Sequence, residues 1–389
     1  IYAILGRNIR KLKINKASKM ADNMKKENIL FNLDEMKDLA KGQSSMIKEG
    51  KLPGYENKDF RVLKIISLLL NTGIFPFTIN NNIEIYVDGN EKFYNLIKDI
   101  RNAKDHIHLE YFIIKDSEIG CKIKKELIKK AREGVKIRII YDDVGCWRFW
   151  FHRKFFKEMK EAKIEIVPYL KGKIAIPVGG QINYRNHRKI VVIDGKIGYT
   201  GGINIGDEYI GKNKKFGYWR DTHLKITGDS VKDLNIRFIL DWRYTTKEDL
   251  VLDKYFGNET LRLSNSKACK DIGIQIVSSG PDSTELDEIK YGYIKMIQKA
   301  KKYIYIQTPY FILDKTLTDT LKIACFSGVD VRIMIPSKPD HPFVYWASSS
   351  YAGELLKYGA KLYNYDHNAF LHAKTIVVDD CVCSIGTAN

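Results

Sequence analysis

Two short cassettes place chemically active side chains at one spacing. Residues 186–204 read NHRKIVVIDGKIGYTGGIN, with His187 and Lys189 two apart, Asp194 after the apolar run, and Gly201, Gly202 and Asn204 beyond it. Residues 371–389 read LHAKTIVVDDCVCSIGTAN, with His372, Lys374 and Asp379, then Gly386 and Asn389. On a β-strand, residues two apart share a face, so each His–Lys pair can meet one ligand while Arg188 or Ala373 points away. An ammonium binds a phosphate oxygen well and is a poor base near neutrality unless strongly perturbed. An asparagine amide can donate to a second oxygen. Histidine, with a reference pKa of about 6.5, can serve as nucleophile or proton donor near pH 7. The pattern points to phosphoryl chemistry, with His187, Lys189, Asp194, His372, Lys374 and Asp379 as its catalytic set. Within that set the two aspartates, at the far strand ends, read as structural or electrostatic partners rather than attackers. One such cassette can arise by chance; two at equivalent places in an internal repeat do not.

The elements that must hold the cassettes repeat as well. The first copy runs helix EKFYNLIKDIRNAKD, strand HIHLEYFII, helix CKIKKELIKKAREG, strand VKIRIIYD, a helix through 162 and strand KIEIVPYL. The second runs helix IKYGYIKMIQKAKK, strand YIYIQTPYFI, helix LTDTLKIACFSG, strand VDVRIMIPS, helix YWASSSYAGELLKYG and strand KLYNY. Each copy then reaches its histidine cassette. Strands alternating with helices of this length predict an α/β fold: two domains related by a pseudo-two-fold, each a mostly parallel mixed sheet flanked by helices. The expected segments are a polar, helix-prone stretch at 1–58, a first domain at 59–250, a linker at 251–271 and a second domain at 272–389. FRVLKIISLLLN, at 60–71, has helical apolar spacing.

A chain of 389 residues with 44% hydrophobic and 12% aromatic content is globular rather than disordered. Its formal charge of +18 favours a polyanion or an anionic membrane without choosing between them. Six scattered cysteines form no paired CxxC sets, which points to a reducing compartment. Cys381 and Cys383 alternate on an expected strand and read as buried small apolar residues. His106 and His108 have a metal-like spacing, but a strand with half-buried imidazoles accounts for them better. The opening IYAILG followed by RNIRKLKINK has the look of the last turn of a membrane helix with its cytosolic basic flank.

The duplicated H-x-K-x4-D-x6-G-[GST]-x-N cassette resembles that of the phospholipase D superfamily. Further stretches are similar to the bacterial cardiolipin synthases within it: GRNIRK, IHLEYFI, TGGINIGDEYIG, WRDTHLKITG, QIVSSGPD, IQTPYFI, GVDVRIMIPSKPDHPFVYWA and FLHAKTIVVDD. The resemblance spans nearly the whole chain and implies that both cassettes face one active site. It further implies transfer of a phosphatidyl group between two phosphatidylglycerol molecules, giving cardiolipin and glycerol through a covalent phosphohistidine. By that likeness His187 is the nucleophile and His372 the general acid, and Lys189, Lys374, Asn204 and Asn389 bind the phosphoryl oxygens. Asp221, in WRDTH, is the acid expected to orient the first histidine. The resemblance also implies membrane helices before IYAILG and a last strand, with a second supporting acid, beyond Asn389.

No cofactor or metal is expected, since four nitrogen donors take the place of the cations used by other phosphoryl-transfer sites. The expected partners are phosphatidylglycerol and anionic membrane lipid, with no nucleic acid, and the expected location is the cytoplasmic face of the cell membrane. GCWRFWFHRKFFKEMKEA, at 145–162, carries Trp147, Phe151, Phe155 and Met159 as a core stripe. Trp150 and Arg153 on the same stretch suit a membrane edge, and His341, in DHPFVYW, suits a headgroup pocket or a simple loop turn. The alternatives are a hydrolase releasing phosphatidic acid, a superfamily nuclease and a non-catalytic lipid binder.

Overall fold

The computed structural model describes residues 30–52, 59–73, 75–146, 153–169, 185–250, 272–279, 286–340 and 342–388. The expected linker, the basic N-terminal stub, Trp150, His341 and Asn389 lie outside them, as does the side chain of Arg153.

Helices α1 (Leu30–Lys48) and α2 (Phe60–Thr72) precede the repeat. The first half then runs β1 (Phe77–Thr78), β2 (Asn81–Tyr86), α3 (Gly89–Asn102), β3 (His106–Tyr111), α4 (Glu118–Arg132), β4 (Lys136–Asp142), α5 (Arg153–Glu161) and β5 (Glu165–Tyr169). It continues through β6 (Lys189–Ile193), β7 (Ile197–Gly201), β8 (Tyr218–Arg220), β9 (His223–Gly228) and α6 (Ser230–Thr246). The second half holds β10 (Ile274–Gln275), α7 (Glu288–Lys299), β11 (Tyr303–Gln307), α8 (Lys315–Phe326), β12 (Asp330–Ile335) and α9 (Pro342–Leu356). It ends on β13 (Lys361–Asn364), β14 (Ala369–Leu371), β15 (Thr375–Val378) and β16 (Val382–Ile385).

Local chemistry marks the equivalent elements. Asp88 caps α3 by accepting from the Asn90 and Glu91 N–H groups, Ser117 caps α4 through Gly120, and Asp314 caps α8 through Leu317. Gly134 (φ 95°) and Gly328 (φ 83°) stop the helices before β4 and β12 in the left-handed region that glycine enters without strain.

The first sheet has strand order β2-β9-β7-β6-β3-β4-β5 and the second β13-β12-β11-β15-β16. Read from the cassette hairpin outward, β7-β6-β3-β4-β5 matches β16-β15-β11-β12-β13, so the repeat is structural as well as sequential. The expectation of mostly parallel sheets is corrected in detail. Only β3-β4-β5 and β11-β12-β13 run parallel, and each cassette strand returns antiparallel to its neighbour. Each cassette strand is antiparallel to the strand after it as well, because the short turn after its aspartate makes a hairpin where a crossover helix would be needed to keep the strands parallel. Asp194 (φ 53°) and Gly195 (φ 64°) form one turn, Asp379 (φ 51°) and Asp380 (φ 55°) the other.

Those aspartates have the same task in both halves. Asp194 accepts from the N–H groups of Lys104 (2.8 Å), Asp105 (2.8 Å) and His106 (3.0 Å). Asp379 accepts from those of Lys301 (2.7 Å), Lys302 (2.8 Å) and Tyr303 (2.9 Å). Each carboxylate ties the far end of a cassette strand to the start of its neighbouring parallel strand. The two aspartates of the expected catalytic set are therefore structural staples, held at the opposite strand ends from the histidines.

Each half has its own apolar core, and elements cross over in both directions: Phe370 of β14 is buried in the first core. Ile65 and Leu69 of α2 pack with Met296, Ile304, Leu321 and Val331 of the second half, and the Arg61 guanidinium is bonded to Asp379. The helix expected at the head of the first domain thus serves the second, because its apolar stripe fits the face of α7. Two smaller expectations also change. Cys383 is exposed on β16 and Cys381 half-buried, since β16 is an edge strand among the described residues. His106 and His108 are fully buried; His108 Nδ1 lies 2.7 Å from Asn235 Oδ1 and its ring stacks on Phe238. Phe155 and Met159 lie in the core, in line with the stripe read for that helix.

Asp379→Ala is expected to lower stability in urea unfolding by roughly 2–3 kcal/mol, because it orphans three N–H groups and removes one of the two carboxylates, Asp59 and Asp379, bonded to Arg61. Asp194→Ala, which holds only the three N–H groups among the described residues, should cost about 1–2 kcal/mol.

Candidate active site

The carboxyl ends of the central parallel strands bring the cassettes together, the usual position for a site in an open α/β sheet. Lys189 pairs across from Tyr111 at the end of β3, and Thr375, which follows Lys374, pairs across from Gln307 at the end of β11. The apolar run behind Lys189 is buried on both faces. Val191 and Ile193 lie in the core beneath α3 and α4, whereas Ile190 and Val192 pack on Val231 and Leu234 of α6.

One strand pairing joins the halves at this place. β8 and β14 run parallel, with Tyr218, Trp219 and Arg220 opposite Ala369, Phe370 and Leu371, and the His372 N–H donates to the Arg220 carbonyl at 2.7 Å. The residue after each strand therefore meets its counterpart: Asp221 Oδ2 lies 2.7 Å from His372 Nδ1. This corrects the expected partnership. Asp221 orients His372, the second histidine, because the pairing delivers it across the boundary between halves. The other carboxylate oxygen accepts from the Thr222 N–H at 2.7 Å, and the side chain is fully buried. Gly202 makes room for it, since a Cβ there would sit 1.9 Å from Asp221 Oδ1. That contact explains the second glycine of the first cassette.

The lysines are held alike. Lys189 Nζ donates to the His187 carbonyl at 2.7 Å, and Lys374 Nζ donates to the His372 carbonyl at 2.7 Å. Both are buried, at 0% and 3% exposure. Arg188 points away into a bond with Asp241 at 3.1 Å. His187 Nδ1 lies 3.4 Å from the carbonyl oxygen of Thr387 in the second cassette, and its ring packs on Phe112 at 4.4 Å between centroids. Asn204 accepts from the Ile113 N–H at 3.1 Å and donates to the Tyr209 hydroxyl at 2.8 Å. It thereby braces the loop after β3, and one amide hydrogen remains for another acceptor.

The charges act on one another across the cassettes. The ammonium of Lys189, then burial, then Lys374 and His372 push the His187 imidazole down to about 2. Burial first, then Lys374, lowers His372 to about 4 against the raising pull of Asp221. Burial lowers Lys374 to about 8 and, with the charge of Lys374, holds Lys189 well below the ordinary lysine range. Two buried lysine amines and two imidazoles, all with lowered pKa values, thus converge on one point. An anion with several oxygens complements such a group.

The comparisons with known proteins agree with this geometry. A family profile described as "Cardiolipin synthase, PLD-like domain" matches residues 96–226 and 293–389. The chain belongs to the cardiolipin synthase family. The major cardiolipin synthase of Bacillus subtilis is 50% identical over 335 residues, covering 86% of this chain and 66% of that protein. A cardiolipin synthase of Staphylococcus aureus is 46% identical over 394 residues, covering all of this chain and 74% of that protein. The chain therefore spans about two thirds to three quarters of the length of these relatives. Among solved structures, phosphatidylserine synthase from Haemophilus influenzae shares the fold, with a TM-score of 0.56, 17% identity and coverage of 82% of this chain and 81% of that one.

Sequence reasoning missed several residues around the centre of this family member. Phe112 stacks on His187 and lies 5.4 Å from Lys189 Nζ. Trp219 lies 5.2 Å from His372 between ring centroids. Tyr310 is hydrogen-bonded to Asp340, its ring edge-on to His372 at 6.3 Å. Phe112 and Tyr310 follow the carboxyl ends of β3 and β11, a position that marks them once the strands are known.

Gly202→Ala should displace the Asp221 carboxylate and reduce kcat by about 10–100-fold, as losses of a supporting partner do. Lys374 has a folded pKa below its ordinary 10.5, so its burial penalty is absent above pH 10.5, grows as pH falls to about 8 and is constant below that. Lys374→Met is accordingly expected to abolish turnover yet raise unfolding stability at pH 7 by roughly 1–3 kcal/mol, a gain that shrinks as pH rises from about 8 and is gone by about 10.5.

Proposed function

We propose that this chain moves a phosphatidyl group from one phosphatidylglycerol to the free hydroxyl of a second, releasing glycerol and forming cardiolipin. The observation that supports the reading best is the pairing of two His–Lys sets around one centre, with the Asp221 carboxylate bonded to the His372 imidazole. His187, held neutral by the neighbouring cations, keeps a lone pair with which to attack phosphorus. His372, bonded to Asp221, is the imidazole better able to carry a proton once an anionic diester offsets the charge of Lys374.

In the first step a P–N bond forms to His187, the P–O bond to glycerol breaks, and His372 gives its proton to the leaving oxygen. In the second, His372 takes the proton of the incoming hydroxyl, the new P–O bond forms and the P–N bond breaks. Lys189, Lys374 and the spare amide hydrogen of Asn204 stabilise the equatorial oxygens, with Asn389 as the expected fourth donor. One phosphodiester replaces another, so no nucleotide is needed. The site works on the cytoplasmic face of the cell membrane, where its lipid substrate lies.

Phosphatidylglycerol vesicles given to the protein should yield cardiolipin and glycerol in equal amounts. Phosphatidic acid as the sole product would make the chain a hydrolase and overturn the transfer. His187→Ala should carry no acid-labile phosphate after brief exposure to substrate; label retained by that variant would exchange the roles of the two histidines.

A further inference from the structure

The two halves make an internal control for each other. In the first, the crossover helices α4 and α5 turn lysines to solvent: Lys122 and Lys125 on α4, Lys154 and Lys157 on α5. The matching helices of the second half do the opposite. Ile323 (64% exposed) and Phe326 (73%) stand out from α8, and Phe343 (90%) and Trp346 (69%) from the first turns of α9. Helix α9 contains no basic residue and a single acid, Glu354. An α/β core does not need such side chains outside, as α4 and α5 demonstrate; Phe326 packs on Tyr358 past the far end of α9, so the surface nearest the site is the exposed pair Phe343 and Trp346.

This face is continuous with the active site. Tyr310 and Asp340 are hydrogen-bonded; the Tyr310 ring is edge-on to His372, and the Asp340 carboxylate acts on the charge of Lys374. Two residues beyond Tyr310, Ile312 is exposed; three beyond Asp340 comes Phe343. Apolar side chains therefore begin within one helical turn of the group that bounds the reacting centre. Exposed lysines flank them, Lys315 at the start of α8 and Lys357 just past α9.

We propose that the start of α9, with Ile312 beside it, forms the edge by which the second half docks on an anionic phospholipid bilayer, with Phe343 and Trp346 inserted among the headgroups. Aromatic side chains favour that boundary, and the flanking lysines match the charge of the surface. A diacyl substrate then keeps its chains in the bilayer while its phosphate passes the Tyr310–Asp340 pair to reach the buried lysines. The substrate in this picture rests on the phosphatidyl-transfer reading, whereas docking itself is measured without turnover.

The test compares the unaltered protein, Phe343→Ser/Trp346→Ser and Tyr94→Ser, the last removing an equally exposed aromatic from α3. Flotation with phosphatidylglycerol vesicles and turnover of vesicle-borne and soluble short-chain phosphatidylglycerol are followed together. The double variant should lose about tenfold or more in vesicle binding and in vesicle turnover, while short-chain turnover stays within about twofold and Tyr94→Ser changes neither. Vesicle binding that persists in the double variant overturns the proposal. An equal loss on short-chain substrate also overturns it, placing the residues in the site rather than on the membrane. A halved mass by light scattering with vesicle binding intact makes this face a contact between copies of the chain. If the unaltered protein binds vesicles through these residues yet turns over neither substrate, the docking edge stands and the transfer reading falls.

Discussion

Everything at the centre of this molecule depends on a short parallel pairing between Tyr218–Arg220 and Ala369–Leu371. It is the only place among the described residues where strands of the two long repeats lie side by side at the cassettes. By fixing the register there, it puts the Asp221 carboxylate on His372 Nδ1. The cost is concentrated electrostatics: two ammonium groups and two imidazoles held in a dry space. Backbone carbonyls of His187 and His372 share the lysine protons, and the buried carboxylate offsets part of the remainder. Such a centre is unfavourable for folding and well matched to a phosphodiester, a common exchange of stability for activity.

Around it the repeat separates structural duties from chemical ones. Asp194 and Asp379 anchor the far ends of their strands through three backbone N–H groups each, so the cassette spacing encodes geometry as well as reactivity. The strand that starts with a reactive lysine must end on a staple, otherwise the hairpin would be free to slip in register. Helix α2 adds a link of its own, since Arg61 joins the second staple and couples the segment before the repeat to the second half.

The halves are equal in topology and unequal in chemistry. Phe112 packs beside His187 where Tyr310 and Asp340 flank His372, and only one imidazole has a carboxylate partner among the described residues. In the proposed transfer the two histidines have different tasks, one attacking phosphorus and the other exchanging a proton. The outer helices differ in the same sense, lysine-coated on one half and apolar on the other. A duplicated fold thus presents two different faces to its surroundings.

Much of this was legible in the amino-acid order. The duplicated cassettes, the alternation of strands and helices, the structural role of the aspartates and the family all follow from local spacing, because periodicity and turn chemistry act over a few residues. Other features follow from contacts between distant segments, and no local pattern carries them. Asp221 was expected beside the histidine of its own half, and strand pairing across the halves gave it to the other. Helix α2 was expected with the first half, and the shape of its apolar stripe placed it on the second. The sheets were expected to be mostly parallel, and the tight turn after each cassette made the returning strands antiparallel. The sequence by itself determined which groups are offered for the proposed chemistry, since that depends on residue type and spacing. Only the tertiary structure decided which group serves which, since a hydrogen bond depends on where two remote backbones meet.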